Sequence, residues 1–318
     1  MVYILLLIGL ALLIKGADFF VKGASSIASN LQVSPLLIGL TIVAFGTSAP
    51  EATVSIVAAF EDSAGVAIGN VVGSNIFNIT FVVGMTALIY PLRVESETIR
   101  KEIPFTLLAS IVLLVLVSDI FLQSFTANFI TRSDGFILLL FFAIFLYYLF
   151  EVARRNRERG GVDTVNSAPS SWGKNILFTF LGLAAIVFGG DLTVDSATGI
   201  ALSFGMSDTL VGLTIVAVGT SLPELVTSVT AAIKKESDIA LGNIVGSNIF
   251  NILFVLGAAS AISPLAVDGR IFIDVSFMIV LTIILLIFSR SNFKIGKIEG
   301  VILAVAYVLY MVYVVLRN

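Results

Sequence analysis

Two stretches decide how this chain folds: TIVAFGTSAPE at residues 41–51 and TIVAVGTSLPE at residues 214–224. Each sets a glutamate, a proline and hydroxyl side chains inside a run apolar enough to cross a bilayer. The rest of the 318-residue chain has the same character, with 58% hydrophobic and only 12% charged residues and a mean hydropathy of +1.08. Soluble domains carry about 25% charged residues, so this chain lacks the polar surface that water requires and reads as an all-α integral membrane protein. It contains no cysteine and no histidine. That excludes disulfides, Cys/His metal centres and catalysis by His or Cys. The net charge of −3 is small, and no basic patch suggests nucleic acid. The apolar amino-terminal run lacks a basic n-region and a small-residue cleavage site, so it reads as a first span rather than a signal peptide.

Spanning requires ~20 mostly apolar residues. Such windows fall near 2–29, 34–60, 64–90, 103–122, 133–152, 175–202, 207–233, 237–262, 271–290 and 298–316, which predicts ten transmembrane helices. The long polar segment at 153–174 divides the chain into a five-helix half at 1–152 and another at 175–318. Counting Lys22 near the end of span 1, the side of the loops after spans 1, 3, 5, 7 and 9 holds 14 of the 18 Lys and Arg residues; the opposite side holds only Arg132, Arg270 and Arg317, and Lys15 lies within span 1. Positively charged loops resist translocation. The linker is therefore expected in the cytoplasm and both termini outside the cell membrane.

The two halves align without a gap at an offset of 173 residues, and 32 of the 58 positions between 34–91 and 207–264 are identical. Five helices per half is an odd number, so the second copy is expected to enter the membrane inverted. Charge follows this inversion: Glu61 and Asp62 align with Lys234 and Lys235, and Lys22 aligns with Asp195. Inverted repeats mark secondary transporters, whose substrate site lies near the midplane where interrupted helices of the two halves meet.

The polar residues sit where that rule places a site. A second motif, GNVVGSNIFN at 69–78, is echoed by GNIVGSNIFN at 242–251. Gly46, Pro50, Gly219 and Pro223 are expected to break their helices, because proline removes a backbone donor and clashes one turn back. Broken spans 2, 3, 7 and 8 are thus expected to build the site, with the carbonyls of Ala44 and Ala217 freed to face a cavity. Thr47, Ser48 and Glu51 share a helical face at spacings of three and four, as do Ser74 and Asn78. Thr220, Ser221, Glu224, Ser247 and Asn251 repeat the set. An ionised glutamate at mid-bilayer is costly unless paired, and no Lys or Arg lies near either one. The expected partner is a bound cation or a proton. Ca2+ takes 6–8 oxygen ligands, and two carboxylates with carbonyls, hydroxyls and amides supply such a set.

Asn70, Asn75, Asn243 and Asn248 read equally well as helix-packing amides or as part of the site. Asp18 and its counterpart Asp191 suit interfacial snorkelling or a local ion pair, with gating as the alternative. Asp119, Asp134 and Glu151 are expected to be solvated at helix ends.

The paired GTSxPE and GSNIFN segments resemble the α-repeats of the cation/calcium exchanger superfamily, which includes Na+/Ca2+ and H+/Ca2+ antiporters. The resemblance covers nearly the whole chain. It implies that Glu51 and Glu224 bind Ca2+ with Thr47, Ser48, Ser74 and Asn78 and their partners Thr220, Ser221, Ser247 and Asn251. It also implies that spans 1 and 6 slide as a gate. One departure concerns the driving ion: several Na+-driven members carry an aspartate in one copy of the second motif, where this chain has Asn78 and Asn251. Two glutamates carry −2, which one Ca2+ or two protons neutralise, so exchange of Ca2+ for H+ is favoured over Na+/Ca2+ exchange. The transported ions and the bilayer are the only partners implied. No cofactor, protein partner or enzymatic activity is expected, and no nucleotide motif such as GxxxxGK[ST] occurs. A passive cation channel, a membrane enzyme and a non-transporting scaffold are the competing classes.

Overall fold

The computed structural model describes residues 2–124, 126–158, 171–204, 217–291 and 293–317, and most of them are helical. Among the described residues, seven helices are long and apolar enough to cross a membrane: Val2–Leu31, Ala64–Ile89, Arg132–Asn156, Trp172–Ile200, Ser237–Ile262, Gly269–Arg290 and Lys297–Arg317. The pair Pro35–Thr47 and Ala49–Phe60 makes an eighth span, bent by 49° between its halves. The shorter helices Glu102–Leu116 and Leu222–Ile233 complete the bundle. The predicted span at 207–233 is described only from Ala217 onward. Residues 159–170 of the predicted linker also lie outside the described residues, and the helix before it runs past 152 to Glu158.

Three expectations need correction. Spans 3 and 8 are not broken. Ala64–Ile89 and Ser237–Ile262 each continue through a π-helical turn, at Asn78–Val82 and at Asn251–Val255. Neither segment contains proline, so the backbone absorbs the irregularity as a π-bulge, a feature frequent at functional sites. The span predicted at 103–122 ends at Leu116. At ~1.5 Å per residue it reaches about 22 Å, less than the ~30 Å hydrocarbon layer, and the chain resumes helically at Asp119–Gln123. Asp119 itself is buried rather than solvated, because its Oδ2 accepts the Phe129 amide at 2.9 Å.

Small residues set the helix spacing. Helix Val2–Leu31 would be about 45 Å long, so it must tilt to fit a bilayer. It runs antiparallel to Trp172–Ser203 along a seam of Gly9, Gly16 and Gly23 against Gly189, Gly182 and Thr179. A Cβ at Gly182 would lie 2.5 Å from the backbone nitrogen of Phe20, and one at Gly16 would lie 2.9 Å from the Gly182 carbonyl. In lipid, helices associate by such close packing rather than by a hydrophobic driving force. Gly39 and Gly242 make a second crossing, where a Cβ on Gly242 would sit 2.6 Å from the Leu36 carbonyl. Helix Ser237–Ile262 is almost wholly buried at the bundle centre, whereas Lys297–Arg317 lies at its rim.

Two short antiparallel pairings tie the loops together. Leu92–Arg93 pairs with Lys294–Ile295, and Asn128–Ile130 pairs with Leu265–Val267. Loops 3–4 and 9–10 therefore share one end of the bundle, and loops 4–5 and 8–9 share another site of contact. Gly182→Val should be destabilising by about 1–3 kcal/mol or more, since overpacking here meets rigid backbone. Gly65→Ala, where a Cβ meets nothing within 4 Å, should be neutral or mildly stabilising. Thermal unfolding midpoints in detergent compare the two.

Candidate functional site

The bend at Ser48 creates the site. Pro50 occupies the first turn of Ala49–Phe60, and Pro223 the first turn of Leu222–Ile233, where a missing N–H breaks no helical bond. Glu51 and Glu224 consequently fall in the first turns of these helices. Both are fully buried, at the helix end whose exposed N–H groups favour negative charge.

Each carboxylate is held by the opposite half. Ser221 Oγ donates to Glu51 Oε1 at 2.8 Å, and Ser48 Oγ donates to Glu224 Oε1 at 2.8 Å. Ser247 Oγ reaches the same Glu224 oxygen at 3.5 Å. The pattern extends to the next layer. Thr47 Oγ1 donates to Asn243 Oδ1 at 2.9 Å, and Thr220 Oγ1 to Asn70 Oδ1 at 3.4 Å. Asn70 Nδ2 in turn donates to the Glu51 carbonyl at 3.1 Å and to Ser55 Oγ at 2.8 Å. Asn243 does the same for the Glu224 carbonyl and Ser228, at 3.4 and 2.9 Å. Apart from the Ser247–Glu224 contact, whose counterpart Ser74 makes no such bond, each bond recurs at the 173-residue offset, which makes the junction self-complementary in the manner of a twofold interface.

A different layer is left open. Among the described residues, Glu51 Oε2, Glu224 Oε2, Ser74 Oγ, Asn251 Oδ1 and both amide atoms of Asn78 are buried without a hydrogen-bond partner. A buried polar group without a partner is costly, and native structures tolerate few of them. Serines thus fix one oxygen of each carboxylate and leave the other available. The chain has no Lys or Arg between Lys22 and Arg93 or between Lys235 and Arg270, so positive charge here must be brought in by an ion.

Ala44 does not behave as the sequence suggested. Its carbonyl accepts the Ser48 amide at 3.0 Å. Proline at position 50 lacks the donor that would serve residue 46, so the helical arithmetic frees the Gly46 carbonyl rather than that of Ala44. Thr47 Oγ1 also approaches the Ala44 carbonyl at 3.4 Å. Ala217 opens the short turn Ala217–Gly219.

The asparagines of uncertain role divide in two. Asn70 and Asn243 brace the glutamate backbones, while Asn75 donates to the Asn248 carbonyl at 3.2 Å and accepts from Asn251 at 3.3 Å. Sequence reasoning missed Ser55 and Ser228, which anchor those braces; their spacing of four from each glutamate was the available signal. It also missed Thr227, whose buried hydroxyl has no partner among the described residues and whose counterpart is Val54. Asp18 is paired, but with Lys234 at 2.8 Å rather than with nearby Lys15.

A helical membrane protein with a buried, oxygen-rich cluster around two carboxylates has the makings of a cation carrier. Comparison with known proteins gives the same class. The profile of the family described as "Sodium/calcium exchanger protein" matches residues 1–151 and 174–316. CaxA of Alkalimonas amylolytica is 43% identical, with 96% of each chain covered. The sodium/calcium exchanger MaX1 of Methanosarcina acetivorans is 37% identical over 98% of this chain and 97% of its own. Crystals of the sodium-calcium exchanger NCX_Mj soaked with Na+ and Sr2+ superpose with a TM-score of 0.84 at 32% identity, covering 98% of this chain and 99% of that one. The chain belongs to the sodium/calcium exchanger family, whose members are membrane antiporters rather than enzymes.

Removing a brace should expose its contribution. Asn70→Ala leaves Ser55 and the Glu51 carbonyl without their buried donor and should lower stability by about 1–3 kcal/mol, read as a reduced thermal midpoint in detergent.

Proposed function

We propose that the protein exchanges Ca2+ for H+ across the cell membrane by alternating access, without a cofactor. The observation that carries this reading is the pair of buried glutamates, each with one oxygen fixed by a serine of the opposite half and one left available. Glu51 and Glu224 are the central Ca2+ ligands. Thr47, Ser48, Ser74, Asn78, Thr220, Ser221, Ser247, Asn251 and the carbonyls of Ala44 and Ala217 complete or orient the oxygen shell. The neutral amides at 78 and 251 support H+ as the counter-ion, because two protons balance one Ca2+ on two carboxylates without a third acid. The names of MaX1 and NCX_Mj favour a second reading, in which Na+ drives the same site.

The architecture proposed with this function is ten spans in two inverted halves, 1–152 and 175–318, with 153–174 as a cytoplasmic linker and both termini outside. Matching boundaries support the repeat: Ala49–Phe60 and Leu222–Ile233, and likewise Ala64–Phe77 and Ser237–Phe250, correspond at the 173-residue offset. The loop pairings also suit it, since each joins loops that alternate topology assigns to the same side.

Ca2+ flux in proteoliposomes under an imposed pH gradient, and separately under a Na+ gradient, tests the reading. Uptake driven by the pH gradient is expected. Uptake driven by Na+ alone overturns the counter-ion, and uptake by neither overturns the exchange. Glu51→Gln and Glu224→Gln should each reduce Ca2+ uptake by about 100-fold or more, since each leaves a divalent ion with a single carboxylate in a buried site. Asn251→Asp should add a third acid and raise the Na+-driven share of the flux.

A further inference from the structure

The two halves match residue for residue at the glutamates, but they do not match where the long tilted helices meet the ends of the bent spans. Helix Val2–Leu31 packs along Leu222–Ile233. Asp18 of the first meets Lys234, the residue that caps the second. Lys234 Nζ lies 2.8 Å from Asp18 Oδ1 and also donates to the Asp18 carbonyl at 2.6 Å. Side chain and main chain of one helix are thus held by a single ammonium on the other.

At the 173-residue offset the corresponding residues are Asp191, on helix Trp172–Ser203, and Glu61, which caps Ala49–Phe60. Both are acidic, and both are exposed. Among the described residues, Trp172–Ser203 makes no packing against Ala49–Phe60 comparable to that of Val2–Leu31 against Leu222–Ile233. The neighbours deepen the contrast. Asp195 and Asp62 add negative charge at the open position, where Lys22 and Lys235 stand at the closed one. One junction is therefore shut and bonded through opposite charges. Its counterpart is apart and carries like charges, which repel when brought together.

We propose that the Asp18–Lys234 pair is a latch that holds one of two gates shut, and that acidic Asp191 and Glu61 deny the opposite gate such a latch, so that the carrier rests open on the Glu61 side. This inference rests on the alternating-access reading, in which the two long helices move against the bent spans. A ligand or mutation acts on such an equilibrium only through its difference between the two states. The pair exists in one state alone, so it biases the populations. It also sets the direction of response: loss of the latch loosens the Lys234 side, and a cation placed at position 61 closes the Glu61 side.

The absence of native cysteine permits a direct test. Spin labels on the exposed positions Ile14→Cys and Ile233→Cys report the latched junction, and labels on Phe188→Cys and Phe60→Cys report the other; pulsed electron–electron distances are recorded in liposomes without Ca2+. In the parent chain a short, narrow distance is expected at the first pair and a longer one at the second. Asp18→Asn should raise the open fraction of the first junction by about two- to fivefold, the range expected of a part-exposed ion pair, and Lys234→Glu should raise it further. The swap Asp18→Lys with Lys234→Asp should restore the short distance, which a merely unfolded or repacked variant would not do. Glu61→Lys should shorten the second distance. Distance distributions unchanged by Asp18→Asn and Lys234→Glu would overturn the latch. Ca2+ flux measured on the same preparations separates the two ideas: a parent chain that transports nothing removes the exchange reading, while the distances still decide whether the ion pair holds the junction.

Discussion

A carboxylate at the centre of a bilayer must be answered by positive charge or by a proton, and this chain keeps every Lys and Arg away from its two central glutamates. The rest of the structure follows from that constraint. Prolines start new helices within the bent spans, so that each acid falls in a first helical turn. Serines are taken from the opposite half, because a hydroxyl on the same helix would satisfy its own backbone, as Thr80 does in donating to the Ile76 carbonyl. The result is charge held in place and not cancelled, which is what a carrier needs if its cargo is to be the neutralising species.

Reciprocity explains why the motif appears twice. Glu51 depends on Ser221, and Glu224 depends on Ser48. Neither half completes its own acid, so an isolated half would bury an incompletely satisfied carboxylate. Asn70 and Asn243 extend the same logic outward by fixing the helix to which each acid is attached. Stability and site geometry are coupled here, since the bonds that join the halves also position the two carboxylates.

Much of this was legible in the sequence. The offset of 173 residues exposed the repeat, GTSxPE located the bend, and the absence of nearby cations defined the charge problem. What escaped had a physical reason in each case. Proline predicts a break in span 2, but nothing in GNVVGSNIFN distinguishes a broken helix from a π-bulge, because both use glycine and asparagine. The carbonyl arithmetic around Pro50 depends on which turn stays α-helical, which only the backbone path decides. Asp119 looked solvated because its partner, the Phe129 amide, lies across a loop whose course the local sequence does not fix. The partner of Asp18 was unreadable for the same reason: Lys15 is near in sequence, but Lys234 is near in space.

Symmetry and its failure then take separate roles. The inner layer is nearly symmetric, because each glutamate takes its serine from the other half. The outer layer need not be, and its charges differ between the halves. In the proposed inverted topology each repeat position falls once on each side of the membrane, and the preference for Lys and Arg in cytoplasmic loops accounts for Lys234 and Lys235 where the other copy has Glu61 and Asp62. A duplicated half that began with equal gates would acquire unequal ones simply by being inserted. Charge bias that serves insertion thereby becomes a difference in energy between two conformations of the folded carrier. Unequal gates need no separate regulatory part: the same few residues that orient the chain in the membrane set which way it faces at rest.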